Sequence, residues 1–293
     1  MSNNVLPVSR RRFLLSSVAV ATTFSFRRAA TAFGFAPQTD VCRLAVEEEE
    51  GPYYVAGEML RSNIVETKPG IPLSLRILIL DAGTCKPLPN AAVDVWHCDA
   101  LGLYSGFTKQ NPRGPGGPPP DFDPAHPGNR PGPPENRFPE NPGPPPHNPP
   151  SDKLTFLRGI QITDAAGTVN FRTVFPGFYM GRTNHIHFKV RVGGQSIPKS
   201  YQAGHTSHTG QMFFPEDVAT ELMEHGPYSG HKIHRTTQQE DHVFGEQQGE
   251  LSVVRLQFAN ARNVADGMHA ELVAAVDPAA TPAGVGFGPG PRR

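Results

Sequence analysis

From Thr108 to Pro150 the sequence consists largely of proline, glycine and asparagine, with hardly an aliphatic residue. No packed core can come from it, so a compact fold must treat it as a surface excursion, partly polyproline-like. Taken as an insertion over residues 108–153, it divides the core-forming material in two; a lid over a site or a cell-wall contact is the functional alternative. Both halves carry short alternating apolar runs broken by Gly and Pro. With 32 prolines, 30 glycines and only 18% charged residues, the chain favours turn-rich β structure over helical bundles.

The runs predict strands at Leu73 to Leu80, Ala92 to His97, Gly210 to Phe214, Leu251 to Phe258 and Ala270 to Val276. Leu157 to Thr163 and Val169 to Phe175 flank the turn DAAG and predict a hairpin. Pro215 to His225 opens on proline and two acids, the signature of a helix start, and is the one short helix expected. The sum is a mainly β domain, a β-sandwich or barrel with long Pro/Gly-rich loops, over residues 33–276. Residues 277–293 form a Pro/Gly-rich tail.

At the start of the chain, Arg10, Arg11 and Arg12 precede a modest apolar run, and Ala30, Thr31, Ala32 make an A-x-A cleavage site. This predicts a twin-arginine export signal over residues 1–32 and a periplasmic or extracellular protein, with the twin-arginine machinery as a partner. The apolar run is too short and too rich in Ser and Thr to span a membrane. Its removal takes five arginines and no acids from a chain with 27 basic and 27 acidic residues, leaving net minus five. Such a charge argues against a nucleic-acid partner. Cys42, Cys85 and Cys98 match no zinc spacing; two can pair after export, and the sequence does not say which. A glutamate run at 47–50 is expected to present Glu47 and Glu48 to solvent.

The chemistry concentrates in FPGFYMGRTNHIHFKVRV, Phe175 to Val192. His185 and His187 stand two apart on a predicted strand, so their side chains share a face and both imidazoles can reach one ion. Tyr179 lies six residues earlier across a Gly-containing turn, and Tyr104 ends a comparable turn after another strand. Two phenolates and two imidazoles make a hard, anionic donor set that prefers an oxidised, trivalent ion, from which we infer Fe(III). Trp96 and His97 are expected to be core or supporting residues. The pairs His205/His208 and His231/His234 lack a carboxylate or cysteine partner at ligand spacing and predict loop hydrogen bonding. Tyr53 and Tyr54 predict packing.

EGPYYV (Glu50 to Val55), AAVDVWHCDALGLYSGF (Ala91 to Phe107), LRGIQITDAAGTVNFRTVFPGFYMGR (Leu157 to Arg182) and HIHFKV (His185 to Val190) together resemble the intradiol ring-cleavage dioxygenases, above all their exported single-domain members. The resemblance covers roughly residues 46–107 and 154–276. It implies Fe(III) ligands Tyr104, Tyr179, His185 and His187, with Tyr179 the ligand that leaves when substrate binds and takes up a substrate proton. It implies that Arg182 stabilises negative charge on the substrate, that Gln211 supports the site, and that Glu49 and Pro52 line the substrate pocket. The implied reaction joins a small aromatic diol and O2 to give a cis,cis-muconate-type product. Glu49 puts a charge where catechol-specific members carry an apolar residue. The long N-terminal helical region through which those members dimerise has no counterpart, which leaves a homodimer open. Two rivals stand beside this expectation: a cupin-like or copper site on the two histidines alone, and a non-enzymatic exported β-sandwich binding module.

Overall fold

The computed structural model describes residues 43–57, 59–109, 149–198, 200–202 and 204–285. The expected export signal, Cys42, most of the insertion and the end of the tail lie outside the described residues. The spine is β1 (Pro72–Asp81), where Leu73, Leu75, Ile77 and Ile79 alternate with more exposed neighbours. β1 pairs in parallel with β11 (Met268–Val276), and antiparallel with β5 (Thr168–Val174) and β2 (Lys86–Pro87). β10 (Arg255–Phe258) adds an edge against β11. A second sheet, wholly antiparallel, runs β4 (Arg158–Ile162), β3 (Ala92–Trp96), β6 (His185–Val192), β9 (His205–Phe213). β7 (Gln195–Ile197) and β8 (Ser200–Gln202) form a separate small hairpin.

The sheets pack face to face. Leu75, Ile77, Phe171 and Leu272 from the first meet Val93, Val95, Ile186, Phe188, Val190 and Met212 from the second in one core. Both sheets are open, so of the two expected shapes the chain takes the sandwich. No helix among the described residues is long and apolar enough to cross a membrane. Cys85 is disulfide-bonded and Cys98 is a buried free thiol.

Three expectations need correction. β4 and β5 are not a hairpin: β4 pairs with β3 in the second sheet and β5 with β1 in the first. The turn between them, where Asp164 Oδ1 accepts from Ala166 N (2.9 Å) and Thr168 N (2.8 Å), is a corner between sheets. Alternation in the flanking runs is the same for a corner as for a hairpin. The strand expected from Leu251 begins only at Arg255, because Gly249–Ser252 is a 3-10 turn and Val254 N bonds Phe213 O at 2.9 Å. The predicted helix is present as Glu216–Met223, but a second, His242–Glu246, accompanies it. Five residues are too few to show a helical period, and its capping residue Asp241 gives the only cue.

The ends of the excursion are clamped together. Asp152 accepts from Gly106 N at 3.0 Å and Thr108 N at 2.9 Å, and Ser151 N donates to Gly106 O at 2.6 Å. At the end of β3, His97 ties the sheets: its Nδ1 lies 2.8 Å from Cys98 O and its Nε2 2.7 Å from Thr173 Oγ1 on β5. With a carbonyl at Nδ1, the proton sits there and Nε2 accepts from the threonine.

Burial lowers the His97 pKa from 6.5 to about 4. The unfolded chain therefore binds a proton that the folded chain refuses as pH drops from 6.5 towards 4. This contribution is full above pH 6.5 and is lost as pH falls through that window. In metal-free protein, His97→Gln is expected to flatten the dependence of folding free energy on pH, by at most about 1.4 kcal/mol per pH unit. Urea unfolding of wild type and variant from pH 4 to 7.5 reads the difference, and parallel curves would contradict it.

Candidate metal centre

Because Ile186, Phe188 and Val190 point into the sandwich core, His185 and His187 point to the other face of β6. On that face the strand register lines up Arg158, Trp96, His187 and Gln211 in one row across β4, β3, β6 and β9. The Trp96 ring lies flat on His187, centroids 4.9 Å apart and planes 6° apart. His185 Nδ1 lies 2.6 Å from Thr183 O, which places its proton there and turns the Nε2 lone pair towards His187. The two Nε2 atoms are 3.0 Å apart, and Tyr104 Oη is 3.4 Å from His185 Nε2. Tyr179 completes the group, its ring centroid 5.8 Å from that of Tyr104 and 5.6 Å from that of His185.

The tyrosines meet because two loops lie backbone to backbone. A Cβ on Gly102 would sit 2.4 Å from Phe178 O, and one on Gly177 would sit 2.4 Å from Asp99 O. Only glycine allows that approach, which brings the loop ending in Tyr104 against the turn carrying Tyr179. Tyr53 stacks on Tyr104 at 4.7 Å, and its carbonyl accepts from Arg158 Nη2 at 2.6 Å.

Arg182 organises the next layer. Its Nε lies 3.1 Å from both Asp241 oxygens, its Nη1 3.4 Å from Glu49 Oε1 and 3.5 Å from Tyr179 Oη, and its Nη2 donates to Gln211 Oε1. Gln211 Nε2 donates to Glu49 O at 2.8 Å. Burial opposes the arginine's charge, but Asp241, Tyr179 and Glu49 hold its pKa above the ordinary value. Burial also pushes Asp241 up, but Arg182 outweighs it and the carboxyl ends below its usual range.

Of the residues expected at the site, the structure brings together Tyr104, Tyr179, His185, His187, Arg182, Gln211 and Glu49. Pro52 is half-buried in the same covering segment. The expected solvation of Glu48 does not hold: it is 1% exposed. The segment carrying it lies over β9, with Glu48 N on Thr209 O (2.9 Å) and Glu48 Oε2 accepting from Gln211 N at 2.5 Å. Burial raises its carboxyl well above the usual range. Glu47 is half-buried, 2.5 Å from His208 Nδ1. His205, His231 and His234 make the expected loop hydrogen bonds, to Pro278 O, Phe178 O and Glu240, with His231 bracing the turn that carries Tyr179. Trp96, His97 and Tyr53 are buried, as expected. Asp241 escaped the sequence reading, since nothing local marks a helix cap as an arginine's partner.

The donor set fits a metal ion. Neighbouring ligands at roughly 2.0–2.1 Å from one ion stand about 3 Å apart, close to the separations of His185 Nε2 from His187 Nε2 (3.0 Å) and from Tyr104 Oη (3.4 Å). Burial lowers His185 to about 3 and His187 well below its ordinary value, so both imidazoles are neutral donors. Burial raises both phenols, a preference that a bound cation inverts. Among the described residues no three His, Cys, Asp or Glu converge on a metal position, so the set depends on its tyrosines.

No family model matches the chain. In sequence, 67 residues are 42% identical to catechol 1,2-dioxygenase 2 of Acinetobacter lwoffii, covering 22% of this chain and 24% of that relative. In structure, the chain is similar to an intradiol ring-cleavage dioxygenase from Tetranychus urticae, with TM-score 0.63 and 31% identity over 82% of this chain and 98% of the other. The chain belongs to the intradiol ring-cleavage dioxygenases. A second dioxygenase structure matches at TM-score 0.63 and 30% identity, over 82% of this chain and 97% of that one. Intradiol dioxygenases are oxidoreductases that use non-haem Fe(III), the ion this donor set suits.

In this intradiol dioxygenase, Gly177→Ala is expected to push the Tyr179 turn off the Tyr104 loop. It should cost about 1–3 kcal/mol in folding stability by overpacking and also lower ferric affinity. Urea midpoints together with ferric titration of the variant check both.

Proposed function

We propose that the chain is an exported Fe(III) enzyme that opens a catechol-type ring between its two hydroxylated carbons, both atoms of O2 entering a cis,cis-muconate-type product. The observation that carries this is the convergence of Tyr104 Oη, His185 Nε2 and His187 Nε2 beside a tyrosine held by Arg182. Tyr104, Tyr179, His185 and His187 would hold the ion, which supplies Lewis acidity and accepts electron density from a bound diol. The protein's part is to fix three donors and leave the fourth able to move. Thr183 O orients His185, Trp96 braces His187, and Tyr53 braces Tyr104. Tyr179 Oη has a long contact of 3.5 Å to Arg182 Nη1, which suits a ligand that yields its place and receives a substrate hydroxyl proton at Oη. Arg182, fixed by Asp241 and Gln211, then offers Nη1 to the negative charge that the substrate oxygens develop. Glu49 and Pro52 line the side from which the diol arrives. Export rests on the twin-arginine pattern at Arg10 to Arg12 and puts the enzyme in the periplasm or outside the cell, acting on small aromatic diols there.

Ferric reconstitution of the full chain is expected to give a visible tyrosinate absorption band and catechol-dependent O2 uptake, with a ring-opened acid identified by mass. Tyr104→Phe should weaken ferric binding and lose most of the band. Tyr179→Phe should lower kcat/KM about a hundred- to ten-thousandfold, the range for a lost acid–base group. A colourless protein that stays inert with ferric ion would refute the reading.

A further inference from the structure

The turn from Tyr179 to Arg182 carries both the phenol and the guanidinium on which the proposed function relies. It closes on itself through one backbone hydrogen bond, Arg182 N to Tyr179 O at 3.0 Å, with Gly181 at a φ of 83°. The rest of its support comes from a stretch 55 to 59 residues further along the chain, leading into the helix His242–Glu246. Thr236 Oγ1 accepts from Gly181 N at 3.0 Å. Asp241 Oδ2 accepts from Thr183 N at 2.8 Å, and both Asp241 oxygens lie 3.1 Å from Arg182 Nε. Thr236 and Asp241 are buried, so water does not compete for these bonds.

This stretch is fastened at its other side. Arg235 Nη1 lies 2.5 Å from Glu216 Oε1 and its Nε 3.1 Å from Asn184 Oδ1, and Gln238 Nε2 donates to Phe214 O at 2.6 Å. It therefore ties the turn to the end of β9 and to the helix Glu216–Met223. Asp241 divides its work between its oxygens. Oδ1 caps the following helix by accepting from Val243 N (2.9 Å) and Phe244 N (3.3 Å), while Oδ2 holds Thr183 N. Thr183 in turn sets His185 through its carbonyl, 2.6 Å from Nδ1. One carboxylate thus grips the arginine and, through a single residue, orients an imidazole.

We propose that Thr236 and Asp241 are positioning residues for ring cleavage, holding the Tyr179–Arg182 turn so that phenol and guanidinium face the metal position together. This rests on the proposed function. Neither residue need touch substrate or ion. A role confined to folding is separable from this one, because asparagine is as good a helix cap as aspartate. With its oxygen kept at the cap, Asp241→Asn turns an amide N–H towards Thr183 N and Arg182 Nε, where donor meets donor. The cap survives and the grip is lost.

The test uses the full chain, metal-free and ferric-loaded. In metal-free protein, Asp241→Asn and Thr236→Val should speed amide hydrogen exchange over residues 178–184 by about fivefold or more, the scale of one lost hydrogen bond, and Thr236→Ser should restore the wild-type rate. In ferric-loaded protein, Asp241→Asn should shift the tyrosinate band and lower kcat/KM for catechol about ten- to hundredfold, the scale for bonds to a charged group. Thr236→Val should lower it about fivefold, with recovery in Thr236→Ser. Unchanged exchange over 178–184, or faster exchange with band and kcat/KM unmoved, would each overturn the assignment. The threonine pair decides even where Asp241→Asn does not fold. A wild type without band or oxygen uptake removes ring cleavage and this assignment with it, whereas an active wild type with unmoved variants removes the assignment alone.

Discussion

Everything at the candidate metal centre hangs on which face of β6 turns inward. Ile186, Phe188 and Val190 enter the sandwich core, so His185 and His187 are carried to the opposite face by the two-residue repeat of a strand. A slip of one residue would bury the imidazoles in the core and expose the aliphatic residues, and the mass of apolar packing forbids it. The same register brings Trp96 and Gln211 alongside His187. The covering segment then follows from backbone hydrogen bonding: Glu48 N reaches Thr209 O, and Gln211 Nε2 reaches Glu49 O. Two acids are thereby drawn under cover, where Gln211 N and Arg182 meet them.

That burial sets the electrical character of the site. Low polarity around the imidazoles keeps them neutral, which a metal ligand requires, and it keeps protons on the phenols, which a metal ligand must lose. The same environment therefore prepares one pair of the proposed ligands and resists the other. A phenolate in such surroundings takes up a proton readily, which is the property the proposed role asks of Tyr179. Tyr104 is stacked on Tyr53 and lies on the loop clamped at Asp152, whereas the Tyr179 hydroxyl has a long 3.5 Å contact to Arg182 Nη1. The two tyrosines differ less in their own chemistry than in how firmly their neighbours hold them.

The strands β1, β3, β6 and β11 were legible because alternation is local, and the residues proposed to hold the ion could be picked out because strand periodicity and turn spacing bring out the His pair and both tyrosines, which the fold places side by side. What stayed hidden was choice of partner. The runs that became β4 and β5 alternate as a hairpin would, yet their hydrogen bonds go to β3 and β1 in different sheets. The glutamates looked solvated because charge runs usually are. Their burial depends on Gln211 and Arg182, more than 130 residues away in sequence. Asp241 is legible only as a helix cap, and its second task, holding Arg182, has no local mark. Polar partners across long separations are set by the finished surface, which sequence patterns do not describe.

The position of the proline-rich excursion explains how such a segment coexists with a demanding site. It leaves the fold just after Tyr104, where a disturbance would be most harmful. Asp152 bonds both Gly106 and Thr108, while Ser151 bonds Gly106, so the chain departs and returns through one clamp. Closing a loop costs entropy that grows only with the logarithm of its length, so lengthening the excursion adds little once the clamp exists. The clamp also fixes the backbone two residues beyond Tyr104, while Ser105 Oγ donates to Phe156 O at 2.7 Å on the returning strand side. The loop carrying Tyr104 is therefore held by residues on both sides of the excursion, and these contacts help to set the spacing of Tyr104 from His185.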